Sequence, residues 1–312
     1  MTRDVAPLTV TRGHQNIAAM KGGSSVFTSL HTGAIGLSIP LEEALDLARA
    51  NGFAALDLSI TDLRERAKRT SAQDIKDAFN MAGVRPGAWG LPVNFRGDDD
   101  AYRAGLAELP GAAALAQEVG SPWCSTWLLP FSDELDMAAN MARHVARLGP
   151  VAQVLAAHGC SLGLEFVGPT TMRAGHAHEF IHTTDGALEL AARIGTGNVG
   201  LLLDCFHWYT AHGTVEDLAR LRADQVVYVH LNDARAGRSA DEQIDGERLL
   251  PGASGVIDVV SFLQALRRMD YAGPVAVEPF DDTLRALPPA SRVAAVAESL
   301  RTVWAQAGLN VE

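Results

Sequence analysis

Short apolar runs recur along this chain, and each is followed by a longer stretch whose apolar positions repeat at helical spacing. That alternation constrains the fold more than any other feature, because successive parallel strands need a crossover and a helix is the usual one. The runs predict eight strands: Ser25–Leu30, Ala54–Ser59, Arg85–Gly90, Pro122–Leu128, Ser161–Phe166, Val199–Leu203, Val226–Leu231 and Pro274–Val277. Between them, stretches such as LEEALDLARANG, AQDIKDAFNMAG, MAANMARHVARLGPVAQVLAAHG and DVVSFLQALRRMD carry the i, i+3, i+4 apolar spacing of amphipathic helices, and SRVAAVAESLRTVWAQAG closes the chain. Thr214 with Asp217 marks a helix start, while Gly52, Gly83, Gly159 and Gly195 stand where left-handed C-terminal residues belong.

Eight such units in 312 residues fit an α/β fold of one (β/α)8 TIM barrel in a single domain. A doubly wound open sheet carries fewer strands and a glycine-rich phosphate loop after the first, and no G-x-G-x-x-G follows strand one here. Residues 1–23 lack periodicity and are expected to be a short N-terminal extension, with Met20 as an alternative start; residues 24–312 form the expected barrel.

The net charge of −11 opposes phosphate backbones and anionic lipid surfaces, so neither nucleic acid nor a membrane is an expected partner. No apolar segment approaches the ~18 residues of a spanning helix. Cys124, Cys160 and Cys205 are odd in number and form no C-x-x-C, which suits reduced core thiols in a cytoplasmic protein.

Chemistry in a barrel sits where strands end and βα loops begin. Strand five ends at Glu165 in LGLEF, strand six at Asp204 in LLLD, strand seven carries His230 in VVYVHLND, and strand eight ends at Glu278 in VAVEPF. Alone, a strand-end Asp reads as a helix N-cap and a His in YVHLN as a core residue. Together, three carboxylates at one mouth repel and take up protons unless a cation sits between them. Three oxygens and one nitrogen without a thiolate favour Mn²⁺, with Mg²⁺, Co²⁺ or Zn²⁺ as alternatives.

These residues resemble the xylose isomerase-like barrels, a family that holds sugar isomerases, ketose 3-epimerases, inosose isomerases and dehydratases, and endonuclease IV. The resemblance covers roughly residues 25 to 308 and is most specific in GLEF, LLLDCFHW, VVYVHLNDA and LPGASGVIDVVSFLQALRRMDYAGPVAVEPF. It implies that Glu165, Asp204, His230 and Glu278 bind one divalent metal. It also implies a substrate-hydroxyl contact for His207, with a hydrogen bond that orients Asp204 as the alternative, and a substrate-clamping role for Arg235, with Arg238 as the alternative. Homodimers or homotetramers are the family's habit. Endonuclease IV is a poor match: NDARAGRSADEQIDGERLLPG lacks the D-x-H pair its metals need, and Trp89 stands where a ligand His is wanted.

The implied function is isomerisation or epimerisation of a keto sugar or cyclitol, by proton transfer through a metal-bound enediolate with Glu165 and Glu278 as the catalytic carboxylates. The alternatives are a lyase of the inosose dehydratase or 3-dehydroshikimate dehydratase kind, and a non-catalytic sugar-binding or partner subunit. Trp89, Phe95, Trp127 and Trp208 lie near strand ends, where an aromatic ring can pack on a sugar or simply fill the core. His31, near the end of strand one, is a further candidate for a hydroxyl contact. The long loop 168–184, with Arg173, His176, His178 and His182, has the length of a lid.

Overall fold

Eight parallel strands close on themselves in the computed structural model, which describes residues 26–309. The expected N-terminal extension, with Met20, and Ser25 of the first expected strand lie outside the described residues. The strands are β1 (Phe27–Leu30), β2 (Ala55–Leu58), β3 (Arg85–Gly90), β4 (Trp123–Trp127), β5 (Ser161–Glu165), β6 (Val199–Asp204), β7 (Val226–Leu231) and β8 (Pro274–Val277), with β8 pairing β1 to complete the barrel.

The leucine run of β6 shows how a continuous apolar strand serves two layers. Leu201 and Leu203 join the large core between barrel and helices, whereas Leu202 joins Ala88, Tyr228 and Ala276 in a small cluster on the other face, inside the barrel. Side chains alternate along a strand. Asp204 follows Leu202 and His230 follows Tyr228 on the inward face, and Asp204 and His230 are direct register partners. The strand ends one residue beyond the expected Leu203, because Asp204 completes the β6–β7 ladder.

The opposite end of the barrel is closed by the first residues of three strands. Arg85 lies 4.1 Å over the ring of Phe27, and Phe27 meets Trp123 edge-on at 5.7 Å. Helix signals in the sequence are realised at several ends: Ser71 with Asp74 and Thr214 with Asp217 form capping boxes, each worth about 1 kcal/mol. Gly83 and Gly195 end their helices at φ of 66° and 71°, a conformation that disfavours any side chain. One element lay outside the sequence reading: Phe131–Ser132 after β4 pairs antiparallel with His178–Glu179 in the loop after β5.

Candidate active site at the barrel mouth

Glu165, Asp204 and His230 are delivered by β5, β6 and β7, and Glu278 follows the last residue of β8. One ligand atom from each of the four lies within 4.8 Å of every other. His230 Nδ1 is the centre of the group, 3.4 Å from Glu165 Oε1, 3.3 Å from Glu278 Oε2 and 3.8 Å from Asp204 Oδ2. Glu165 Oε1 and both ring nitrogens of His230 are buried without a hydrogen-bond partner. Buried polar atoms are nearly always satisfied, so three orphans in one spot mark a place built for something else. A divalent cation fits this donor set of three carboxylates and one imidazole.

Crowding shifts the protons. Burial, then the charge of Glu278, raises the Glu165 carboxyl to about 7. Burial also raises Asp204, against the pull of the Arg248 and His230 charges. Burial works against ionised Glu278 as well, but the positive charge of His230, 3.3 Å away, and that of Arg248 hold it well below the carboxylate range. His230 is driven up for the reciprocal reason: burial opposes its charge, and Glu278 and Glu165 outweigh that.

Asp204 is a helix N-cap, as a strand-end Asp alone predicts, and its second oxygen faces His230. Its Oδ1 accepts the N–H groups of Phe206 (2.7 Å) and His207 (3.1 Å), capping the short helix Cys205–Thr210, while Oδ2 accepts from Asn232 Nδ2 at 2.7 Å and faces His230. Capping one oxygen fixes the direction of the other.

The residue missed in the sequence is Arg248. It lies further along the loop than Arg235 and Arg238, and the loop after β7 folds back to bring it in: Asp233 and Leu249 exchange backbone hydrogen bonds of 2.9 and 2.8 Å. The Asp233 carboxylate accepts N–H groups of Ser254, Gly255 and Ile257 and pins the loop. Arg248, buried at 2% exposure, donates from Nη1 to Asp204 Oδ2 (3.1 Å) and Glu278 Oε2 (2.8 Å), and from Nη2 to Asp245 Oδ1 (2.7 Å). Arg235 and Arg238 instead pair with Glu247, at 3.5 and 2.8 Å.

The other candidates divide. His207 belongs to the site: its Nε2 is 3.9 Å from Glu165 Oε1 and 3.0 Å from Arg248 Nη2, while Nδ1 accepts the Gly168 N–H. His31 borders it, its ring centroid 6.1 Å from that of His230. Trp89 points the other way, into the core between barrel and helices, donating from its indole nitrogen to Ser121 O at 3.2 Å; the alternation that turns Ala88 inward turns Trp89 outward. Phe95 and Trp208 are also buried in that core. Trp127 alone of the four aromatics is exposed, with Arg96 stacked 4.1 Å over its ring. In the loop 168–184, Arg173 donates to Gly168 O, His176 pairs with Asp133 at 3.0 Å and His182 bonds to Phe180 O at 2.7 Å.

A cavity of about 260 Å³ lies elsewhere, between the loops after β3 and β4 and the helix Met137–Ala157, lined by Phe95, Arg96, Phe131, Asn140 and His144 among others; none of the four cluster residues lines it. The four convergent side chains and this cavity are separate places in the fold.

Comparison with known proteins finds relatives of the whole barrel. A curated relative, inosose isomerase of Halalkalibacterium halodurans (strain C-125), is 25% identical over 245 residues, 77% of this chain and 83% of its own. Among solved structures, a xylose isomerase domain protein from Alicyclobacillus acidocaldarius superposes with a TM-score of 0.81 at 32% identity, covering 91% of this chain and all of the other. The protein IOLI with a bound zinc atom superposes at 0.74 and 20% identity over 89% and 97% of the two chains, a likeness of fold. The family model described as xylose isomerase-like TIM barrel matches residues 45–303, a span that holds all four residues of the cluster and Arg248, and to that family this chain belongs.

Proposed function

We propose that the chain is a divalent-cation-dependent isomerase or epimerase of a keto sugar or cyclitol, working in the cytoplasm, with Glu165, Asp204, His230 and Glu278 as the cation's ligands. One observation carries the reading: four donor atoms from consecutive strands lie within 4.8 Å of one another, with Glu165 Oε1 and the His230 ring nitrogens unpartnered. Mn²⁺ is our choice of cation, and the zinc in the superposed IOLI structure supports a divalent ion without fixing which.

Such a cation supplies Lewis-acid polarisation of a carbonyl and charge stabilisation for an enediolate. The chain's own residues do the rest. Glu165 and Glu278 both lie against His230 Nδ1, at 3.4 and 3.3 Å, so one carboxylate can take a proton from the carbon beside a carbonyl and the other return one. A buried Glu165 raised to about 7 holds or yields a proton near neutrality, and the charge of a cation replaces the proton it would otherwise take up. Asn232 and the helix cap hold Asp204 in place, and His207 beside Glu165 and His31 beside His230 are the groups that would meet a hydroxyl-rich ligand. The inosose isomerase relative supports a cyclitol or sugar as the substrate class. Assembly as a dimer or tetramer is part of the same reading.

The test is turnover in D₂O with Mn²⁺ over a panel of inososes, ketoses and uronates, read by NMR and mass. Deuterium beside the carbonyl with wild type and none with Glu278→Gln supports the reading. Loss of water from the product reassigns the chain to a lyase. Unchanged processing by Glu278→Gln removes Glu278 from the chemistry, and binding without any turnover by wild type makes the chain a non-catalytic binder.

A further inference from the structure

We propose that Arg248 is an internal competitor for the divalent cation: its guanidinium holds the same two carboxylate oxygens the cation needs, and cation binding shifts it outward onto Asp245. The inference rests on the cluster being a metal site.

The overlap is atom for atom. Asp204 Oδ2 and Glu278 Oε2 face His230 Nδ1 at 3.8 and 3.3 Å, and the same two oxygens take Arg248 Nη1 at 3.1 and 2.8 Å. Two cations on shared oxygens repel, so each weakens the hold of the other.

The contacts of His207 give a second, independent reason. The Gly168 N–H donates to His207 Nδ1 at 3.2 Å, which places the imidazole proton on Nε2. That Nε2–H then faces another donor, Arg248 Nη2, at 3.0 Å. A neutral imidazole accepts at one nitrogen and a protonated one at neither, so the two donors cannot both be answered. The contact is therefore frustrated, and outward movement of the guanidinium relieves it.

The path outward is built. Asp245 Oδ1 already holds Nη2 at 2.7 Å, and its side chain is 26% exposed where that of Asp204 is 0%. The rings of Phe206 and Phe280 lie 5.1 and 4.6 Å from the guanidinium carbon, so the charge keeps aromatic contact as it turns.

Mn²⁺ affinity, measured by titration calorimetry on the full chain, tests the inference. Arg248→Met is expected to bind Mn²⁺ at least about tenfold more tightly than wild type. Arg248→Lys, which keeps the charge, stays nearer wild type, and Arg235→Met, whose side chain pairs with Glu247, leaves affinity unchanged. Equal or weaker binding by Arg248→Met, with wild type still binding, overturns the competition and leaves the metal site standing. Absence of binding in wild type overturns both. Should Arg248→Met fail to fold, a wild-type crystal soaked in MnCl₂ decides: Nη1 beyond about 3.5 Å from one of the two oxygens supports the shift, and an unmoved guanidinium refutes it.

Discussion

Two carboxylate sites face the interior of the barrel on neighbouring levels, and they differ in how completely they are answered. Asp57 on β2 accepts Ser29 Oγ at 2.5 Å, the Ala88 N–H at 2.9 Å and the hydroxyl of Tyr228. Two residues further along β7, on the same face, His230 meets Glu165, Asp204 and Glu278 with both its nitrogens orphaned. The Tyr228 and His230 rings touch edge-on at 4.7 Å, so the two levels adjoin. A half-buried acid whose hydrogen bonds are complete rigidifies a core; carboxylates crowded around unpartnered atoms, with Arg248 on only two of them, suit a further cation.

The largest way to sharpen that contrast is to neutralise an acid on each level. Glu165→Gln is expected to lower turnover by a factor of about 10²–10⁴, as loss of a proton-transfer group does, with the melting temperature held or raised because a repelling charge is gone. Steady-state kinetics and calorimetry read the two effects separately.

Buried histidines supply the next test, because His144 is driven the opposite way from His230. Burial depresses His144 to about 4, and its Nδ1 bonds to Asn140 O at 2.9 Å. The unfolded chain therefore protonates first as pH falls through about 6.5, so stability present above that value is lost towards pH 4, by up to about 3 kcal/mol. Denaturant melts from pH 7.5 to 4.5 should show the loss in wild type and a shallower slope in His144→Gln.

Mn²⁺ at about a hundred times its dissociation constant should stabilise the fold by about 2.7 kcal/mol. The rise in melting temperature should persist in Asp57→Asn and vanish in His230→Gln; persistence in His230→Gln would erase the distinction between the two levels. The smallest effect is expected of Tyr228→Phe, which removes one donor to Asp57 and keeps the ring against His230. It should cost about 1–2 kcal/mol in denaturant melts while Mn²⁺ affinity stays within about twofold of wild type.

What could be read from residues alone follows from the same physics. Strand and helix positions were legible because burial imposes periods of 2 and 3.6 on the chain, and GLEF, LLLD, YVHL and AVEP each put an inward polar residue at a strand end. The direction of Trp89 was not, since proximity to a strand end says nothing about which face a residue takes. Arg248 escaped because its approach depends on a fold-back of the loop, fixed by Asp233 through contacts distant in sequence. The Phe131–Ser132 and His178–Glu179 pairing was too short to leave a periodic trace. Helix Met137–Ala157 runs through Pro150, as the apolar spacing on both sides of that proline predicts, and helix Asp99–Val119 runs through Pro110. Tertiary packing outweighs the lost hydrogen bond in each.

The cluster itself is tested most directly by counting metal. Equilibrium dialysis against Mn²⁺ followed by elemental analysis should find about one ion per chain in wild type, and saturable binding should be lost in His230→Gln. No saturable binding, or a full equivalent retained without the imidazole, would contradict the account.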